Sequence, residues 1–385
     1  MEDIVAFLSG WILGALGGLV PGLHSNTLIS AVSSSGLDDQ TISMMIIALL
    51  PAHMALSYIP SIFFGVPDPS AVMVMLPGQR MVREGEGLLA LKAALASCLL
   101  ATLVCVMLFW LTLDIYPIIY PALRPYMGYI LLAFSLIFIS RSRNPVMSGL
   151  VFAISGILGE YSLNSPVPDP FLPLFCGLFA IAAIASYKSS AIPEQKDRPL
   201  GIGIVGFIGI GILLGFFADL IPGVGSPSQV ATFATMVFPL ETIGYIATVS
   251  SISVSQTIFS LSTSSSIGKS RIGGTAILSG HIVIGDNLLM LLALFMAGMA
   301  LAVLAVYFIR KKVAKVAGLD FSKMNLVLAA YLFCLTALID GAGGILILAL
   351  ASVLGWATIK LGVERTNLMG AIIVPTLFLL FRIFL

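Results

Sequence analysis

Residues 21–27 read Pro-Gly-Leu-His-Ser-Asn-Thr and interrupt an otherwise apolar segment. The interruption returns at 222–229 as Pro-Gly-Val-Gly-Ser-Pro-Ser-Gln. Proline has no N–H to give to a helix, and a Pro-Gly pair ends or kinks one. A helix that restarts just after such a break presents first-turn N–H groups without intrahelical acceptors, together with the positive end of its dipole. Hydroxyl and amide side chains at that point can cap the helix, hold a carboxylate, or join freed carbonyls around a sodium ion. The candidate anion-binding residues are therefore Gly22, His24, Ser25, Asn26 and Thr27 at the first break. At the second they are Gly223, Gly225, Ser226, Ser228 and Gln229.

Other polar groups stand in apolar surroundings. Asp219 directly precedes the second break, and an ionisable residue inside a membrane segment is a functional candidate by default, so it is the candidate ion-coupling group. The stretch Thr263–Ser270 falls one residue short of a phosphate-binding loop, with Thr263 where the first glycine belongs. That motif needs a preceding strand in a βαβ unit, and none is expected here. Its Ser265 and Lys269, with Arg271 beside them, still offer hydroxyls and positive charge to an anion. His24, His53 and His281 lack paired ligand spacing, so no metal site is expected. His53 reads as a helix contact, and Asp286 and Asp340 read as interfacial. No GxSxG or HExxH pattern appears, which argues against hydrolytic chemistry. Cys98, Cys105, Cys176 and Cys334 all lie in apolar runs and read as small buried hydrophobes.

The elements that position these groups must be membrane helices. Of 385 residues, 59% are hydrophobic and 10% charged, and the mean hydropathy is +1.09. Soluble domains carry roughly 25% charged residues, so this chain cannot clothe a water-facing surface. With about 20 residues per crossing, roughly ten to fourteen embedded segments fit. A net charge of +1 leaves no footprint for nucleic acid. The acidic start reads as a first membrane segment, not a cleaved leader. The expected fold is all-α and polytopic, in the cell membrane and surrounded by membrane lipids.

The chain divides into similar halves, 1–187 and 200–385, joined by a polar cytoplasmic linker, 188–199. Residues 10–25 align without gaps on 211–226, pairing Gly10 with Gly211, Gly14 with Gly215, Pro21 with Pro222, Gly22 with Gly223 and Ser25 with Ser226. Basic residues cluster at Arg80, Arg83 and Lys92 before the run 88–112, but after the equivalent run 286–309, at 310–315. Positive charge stays on the cytoplasmic side, so the halves are expected to be inverted repeats. Broken helices from such repeats meet near the bilayer midplane around the substrate. Segments 59–79, broken by prolines, and 260–280, rich in serine, read as re-entrant hairpins.

The stretches ILGALGGLVPGLHSNTLIS and LLGFFADLIPGVGSPSQVATF resemble the paired glycine-rich signatures of the tripartite tricarboxylate transporter large membrane subunit (TctA) family. SGLVFAISGILGEYSLN and LGWATIKLGVERTNLMGAIIVPTLF are similar to its later helices. The resemblance implies secondary active transport of a di- or tricarboxylate by alternating access, driven by sodium or protons, with sodium the only cofactor-like ion. It also implies a small membrane subunit and an extracytoplasmic binding protein as partners, and a homodimer is a further expectation. His24 stands where the family has a small residue, so the fold transfers better than the substrate. The alternative is an anionic-lipid translocase of the polyprenyl-phosphate type, using the same tips.

Overall fold

In a computed structural model of the chain, the residues described are 2–20, 25–65, 72–186, 193–220, 230, 241–270, 272–317 and 321–383. All regular structure among them is helical. The first half contains α1 (Glu2–Leu19), α2 (Ser25–Ser33), α3 (Asp39–Ile59), α4 (Val72–Arg83), α5 (Gly87–Leu123), α6 (Met127–Arg141), α7 (Pro145–Leu163) and α8 (Phe171–Ala185). The second contains α9 (Ile204–Leu220), α10 (Thr242–Ile267), α11 (Gly273–His281), α12 (Leu288–Ala317), α13 (Phe321–Lys360) and α14 (Gly370–Phe381). Six helical stretches among the described residues are long and apolar enough to cross a membrane.

Helix α1 shows how lipid shapes the packing. Ile4, Leu8, Ile12 and Leu16 recur every fourth residue and point outward, while Ala6, Gly10, Gly14, Ala15, Gly17 and Gly18 are buried. Large apolar side chains outside and small residues inside suit a helix whose outer solvent is hydrocarbon, because small residues let helix backbones approach closely. A side chain on Gly10 or Gly14 would strike the backbone of Met45 or Leu49, and one on Gly18 would strike that of His53. This constant register makes α1 and α3 run in the same direction. Helix α2 carries the chain back, with Leu28 against Gly17. The second half packs alike: Gly211 and Gly215 of α9 lie against Ser251 and Ser255 of α10.

Two helices form buried spines. Every residue of α3 from Ile42 to Ile59 is buried, and α10 is buried almost throughout from Gly244 to Thr263. Asp38 caps α3 by accepting the Thr41 N–H at 3.0 Å. That hydrogen bond holds its exposed carboxyl below the usual carboxylate range. Helix α10 is rich in serine and threonine yet stays helical, because the hydroxyls bond within the helix. Ser255 donates to the Ser251 carbonyl at 2.8 Å, Thr257 to Ser253 at 2.9 Å, and Ser266 to Ser262 at 2.7 Å.

The helices sort into two bundles. Helices α1–α5 and α9–α12 pack around the spines, and α6, α7, α8, α13 and α14 form a flanking bundle. Every extensive helix contact among the described residues lies within one bundle or the other, apart from the Arg124–Tyr126 turn that joins α5 to α6. Each bundle draws helices from both halves of the sequence.

Several segments differ from the sequence reading. The run 88–112 extends further than its apolar stretch, because α5 continues to Leu123 despite Pro117 and Pro121. The Tyr116 ring stacks on Phe216 at 4.8 Å, so tertiary packing holds this turn. Helix α3 runs on into a π turn at Pro60–Phe64 before Gly65 ends it with φ 67°. Residues 66–71 of the first expected hairpin lie outside the described residues. In the second, α10 extends to Ile267, Gly268 closes it with φ 63°, and α11 begins at Gly273. Helix α13 breaks at Gly341, with φ 62° and ψ −151°. A Cβ on Gly344 would lie 3.1 Å from Thr336 Cγ2. Eight residues along a continuous helix are about 12 Å apart, so the chain turns sharply back at Gly341. Cys334 is exposed, which corrects the expectation that all four cysteines are buried. It shares the outward face of α13 with Phe333 and Leu338, where an apolar thiol suits lipid.

The linker straps onto the core bundle. The Lys196 N–H donates to the Gly85 carbonyl at 2.8 Å, and Gln195 bonds Gly87 N–H and the Val82 carbonyl at 2.8 and 2.9 Å. Asp197 pairs with Lys92, with Arg310 at 3.3 Å and with Lys311 at 3.5 Å. The Lys92 ammonium, donating to it, holds the Asp197 carboxyl below its ordinary range.

Candidate functional site

Two short helices, α2 and α11, lie side by side within the core bundle. Each has nine residues. Asn26 lies against Gly273, where a Cβ would stand 2.7 Å from the Asn26 amide. Ile29 flanks Gly274, and Ser33 meets His281. The helices therefore run in the same direction, and their N-terminal turns meet. Only glycines at 273 and 274 permit this approach, since Leu50 and Ile29 also crowd Gly274. Both N-terminal turns bring the positive ends of their helix dipoles to one locality.

The turn before α11 is held from α10. Ser260 Oγ lies 2.7 Å from Thr275 Oγ1 and accepts the Ile272 N–H at 3.3 Å. Ser270 donates to Ser264 at 2.9 Å, and the Lys269 N–H bonds the Thr263 carbonyl at 3.1 Å. Thr263 donates its hydroxyl to Asp219 Oδ2 at 2.6 Å. Asp219 is wholly buried at the penultimate position of α9, so the end of α9 lies beside the same turn. Lys269 itself is exposed.

The outer ends of the two helices are clasped. His281 Nε2 lies 2.6 Å from Ser33 Oγ, and Nδ1 lies 2.7 Å from Asp39 Oδ1 at the start of α3. Thr27 faces the other way. Its hydroxyl donates to Asp169 Oδ2 at 2.7 Å, across to the α7–α8 connection of the flanking bundle.

Of the residues singled out from the sequence, Ser25 opens α2, and Asn26 is brought against the α11 tip. Asp219 is linked to the same turn through Thr263, and Lys269 sits within it. Ser265 lies instead near Gly285, at 3.1 Å from where its Cβ would stand, away from the meeting tips. Gly22, His24, Gly223, Gly225, Ser226, Ser228, Gln229 and Arg271 lie outside the described residues. Sequence reasoning missed Gly273, Gly274 and Thr275; the glycine pair after a serine-rich run was the available signal. It also missed Asp169 and took Asp340 as interfacial. Asp340 is buried at the Gly341 turn and accepts the Asp169 N–H at 2.8 Å. Among the described residues, no group of three or more His, Cys, Asp or Glu could hold a metal ion.

Comparison with known proteins agrees with this architecture. The chain is 25% identical over 413 aligned residues to an uncharacterized protein of Methanocaldococcus jannaschii, covering 99% of this chain and 100% of that protein. No solved structure matches the chain. The model of the tripartite tricarboxylate transporter TctA family matches residues 4–370, nearly the whole length. With its membrane-length helices and lipid-facing apolar surface, the chain is an integral membrane transport protein and belongs to the tripartite tricarboxylate transporter TctA family.

Proposed function

We propose that the protein is a secondary active transporter of a di- or tricarboxylate anion, working by alternating access and driven by a sodium or proton gradient. The observation that carries this reading is the meeting of the α2 and α11 N-terminal turns at Asn26 and Gly273. A carboxylate there can accept first-turn N–H groups from both helices, with Ser25 and Lys269 as further donors. Ser226, Ser228 and Gln229 of the second break, outside the described residues, remain candidate donors to the same anion. Asp219 is the coupling candidate, since a wholly buried carboxylate held by a threonine hydroxyl favours a cation nearby.

Two observations support a repeated plan, and the inversion rests on the opposite placement of the basic clusters along the two halves. The aligned glycines Gly10 and Gly14, and Gly211 and Gly215, seat α1 on α3 and α9 on α10 in matching fashion. Each bundle also takes equivalent helices from both halves. The α1–α2 pair, which enters and returns on one side of α3, reads as one re-entrant element, and α10–α11 as another. The sparse contact between bundles supports a mechanism in which the core carries the tips relative to the flank. The family name implies a small membrane subunit and a binding protein as partners.

The test is uptake of labelled citrate and succinate into proteoliposomes, with the partner subunits supplied, under an imposed sodium or proton gradient. Gradient-dependent uptake is expected. Absence of carboxylate uptake, with polyprenyl phosphate moved instead, overturns this reading in favour of a lipid translocase.

A further inference from the structure

We propose that Asp340, Thr336 and Asp169 form a site for a monovalent cation, sodium or a proton, at the junction between the two bundles. The proposal rests on the transport reading for its purpose but on separate observations for its place. The Asp340 side chain is 6% exposed. One of its oxygens accepts the Asp169 N–H at 2.8 Å, and the other, Oδ2, is buried with no hydrogen-bond partner. One turn earlier on the same helix, the Thr336 hydroxyl is also buried and unpartnered. Both side chains converge on Gly344, where a Cβ would lie 3.1 Å from Thr336 Cγ2 and 3.3 Å from Asp340 Cγ. The sharp turn at Gly341 creates this convergence, which a straight helix forbids.

A buried carboxylate with a single hydrogen bond is strongly disfavoured unless a positive charge compensates it. Among the described residues, the neighbouring elements supply none. The α7–α8 connection brings only Asp169, a like charge. Helix α8 carries no charged side chain. On α7, Glu160 accepts from the Asn164 amide at 2.8 Å. Arg365, before α14, spends its guanidinium on the Phe179 carbonyl and ring, well along α8 from Asp169. Asp340 Oδ2 and the Thr336 hydroxyl are unpartnered hard oxygens; the Asp169 carboxylate, which takes the Thr27 hydroxyl on one oxygen and the Leu172 N–H at 3.4 Å on the other, contributes through its remaining lone pairs. With no third carboxylate or imidazole, the set suits a monovalent ion better than a divalent one.

The location gives the site a role. Asp169 Oδ2 accepts the Thr27 hydroxyl, a hydrogen bond between the bundles. A cation between Asp169 and Asp340 keeps the two carboxylates together and holds Asp169 in place for Thr27. When the cation leaves, repulsion moves Asp169 away and frees the α2 tip from the flank. Occupancy at this site thus sets whether the core bundle is latched.

The test uses purified full-length protein in nanodiscs without substrate. Its melting temperature is followed as sodium chloride replaces choline chloride, at acid and at alkaline pH. If the ion is sodium, the melting temperature rises with sodium at alkaline pH and less so in acid, where protons compete. If it is a proton, the melting temperature rises on acidification and ignores sodium. In either case Asp340→Asn abolishes the dependence, and Thr336→Val weakens apparent sodium affinity or shifts the pH midpoint. A loss of about tenfold or more in affinity corresponds to one lost ligand. Asp169→Asn provides the same check should Asp340→Asn fail to fold. Equal sodium and pH dependence in wild type and variants, or none in wild type, overturns the proposal. Because no substrate is present, failure of the carboxylate reading leaves these shifts intact. Failure of this site instead leaves gradient-driven uptake unchanged in Asp340→Asn.

Discussion

Two threonine–aspartate hydrogen bonds flank the meeting helix tips, and they differ in what they join. Thr263 and Asp219 are both wholly buried, 2.6 Å apart, and both belong to the core bundle. Thr27 and Asp169 are partly buried, 2.7 Å apart, and belong to different bundles. The chemistry is alike but the mechanical consequence is not. The first pair fixes a helix end within one bundle, and the second links two bundles. Under the proposed alternating access, the second is the bond that breaks when the core shifts against the flank, and the first is not.

The largest expected effect comes from the inner pair. Asp219→Ala removes the short Thr263 bond and leaves that hydroxyl only the Ser260 carbonyl at 3.3 Å, at a cost of about 1 kcal/mol or more, and it removes the proposed coupling charge. It is expected both to lower the melting temperature and to abolish gradient-driven uptake. Full uptake in this variant would remove Asp219 from the coupling role. Next come the tips. Ser25→Ala and Ser226→Ala are each expected to weaken substrate binding by roughly fivefold, the scale of one lost hydrogen bond of about 1 kcal/mol, with folding retained. Unchanged affinity in both, measured by calorimetry, would contradict the site.

A smaller effect is expected for the outer pair. Thr27→Val removes the link between bundles while leaving its shape, so transport rate shifts by a few-fold, the scale of a weak hydrogen bond of about 0.5–1 kcal/mol, without loss of folded protein. A melting temperature that falls as far as in Asp219→Ala would erase the distinction drawn here. The smallest effect belongs to the linker. Asp197 has its carboxyl held low by Lys92, so its stabilising charge is present above the ordinary carboxylate range. It is lost only as pH falls through the depressed value. Asp197→Asn should therefore change stability at neutral pH by up to about 1 kcal/mol, as for accessible ion pairs, and wild type and variant should converge in strong acid.

Much of this was legible in the sequence. Pro21-Gly22 before Ser25, and the glycines aligned across the halves, marked where a helix restarts and which helix faces pack. Composition alone required membrane helices. What stayed hidden depends on tertiary neighbours. The serine-rich segment 260–280 reads as a re-entrant hairpin too polar to span, and the sequence did not show that its hydroxyls bond back to their own turns and keep α10 helical to Ile267. The run 88–112 gave no sign that the Tyr116–Phe216 stack carries α5 on past Pro117. Asp340 looked interfacial because nothing in its local sequence shows that Gly341 folds the chain back and buries it. Asp169, in a connecting segment, becomes significant only once Thr27 is seen opposite.

The central claim is that a carboxylate binds where the first turns of α2 and α11 meet. The most direct measurement is an electron cryo-microscopy structure with citrate bound. The account predicts anion density within hydrogen-bond reach of the backbone at Ser25–Thr27 and Gly273–Thr275. Citrate seated only on the basic cluster of Lys92, Arg310 and Lys311, with the α2–α11 junction empty, would contradict it.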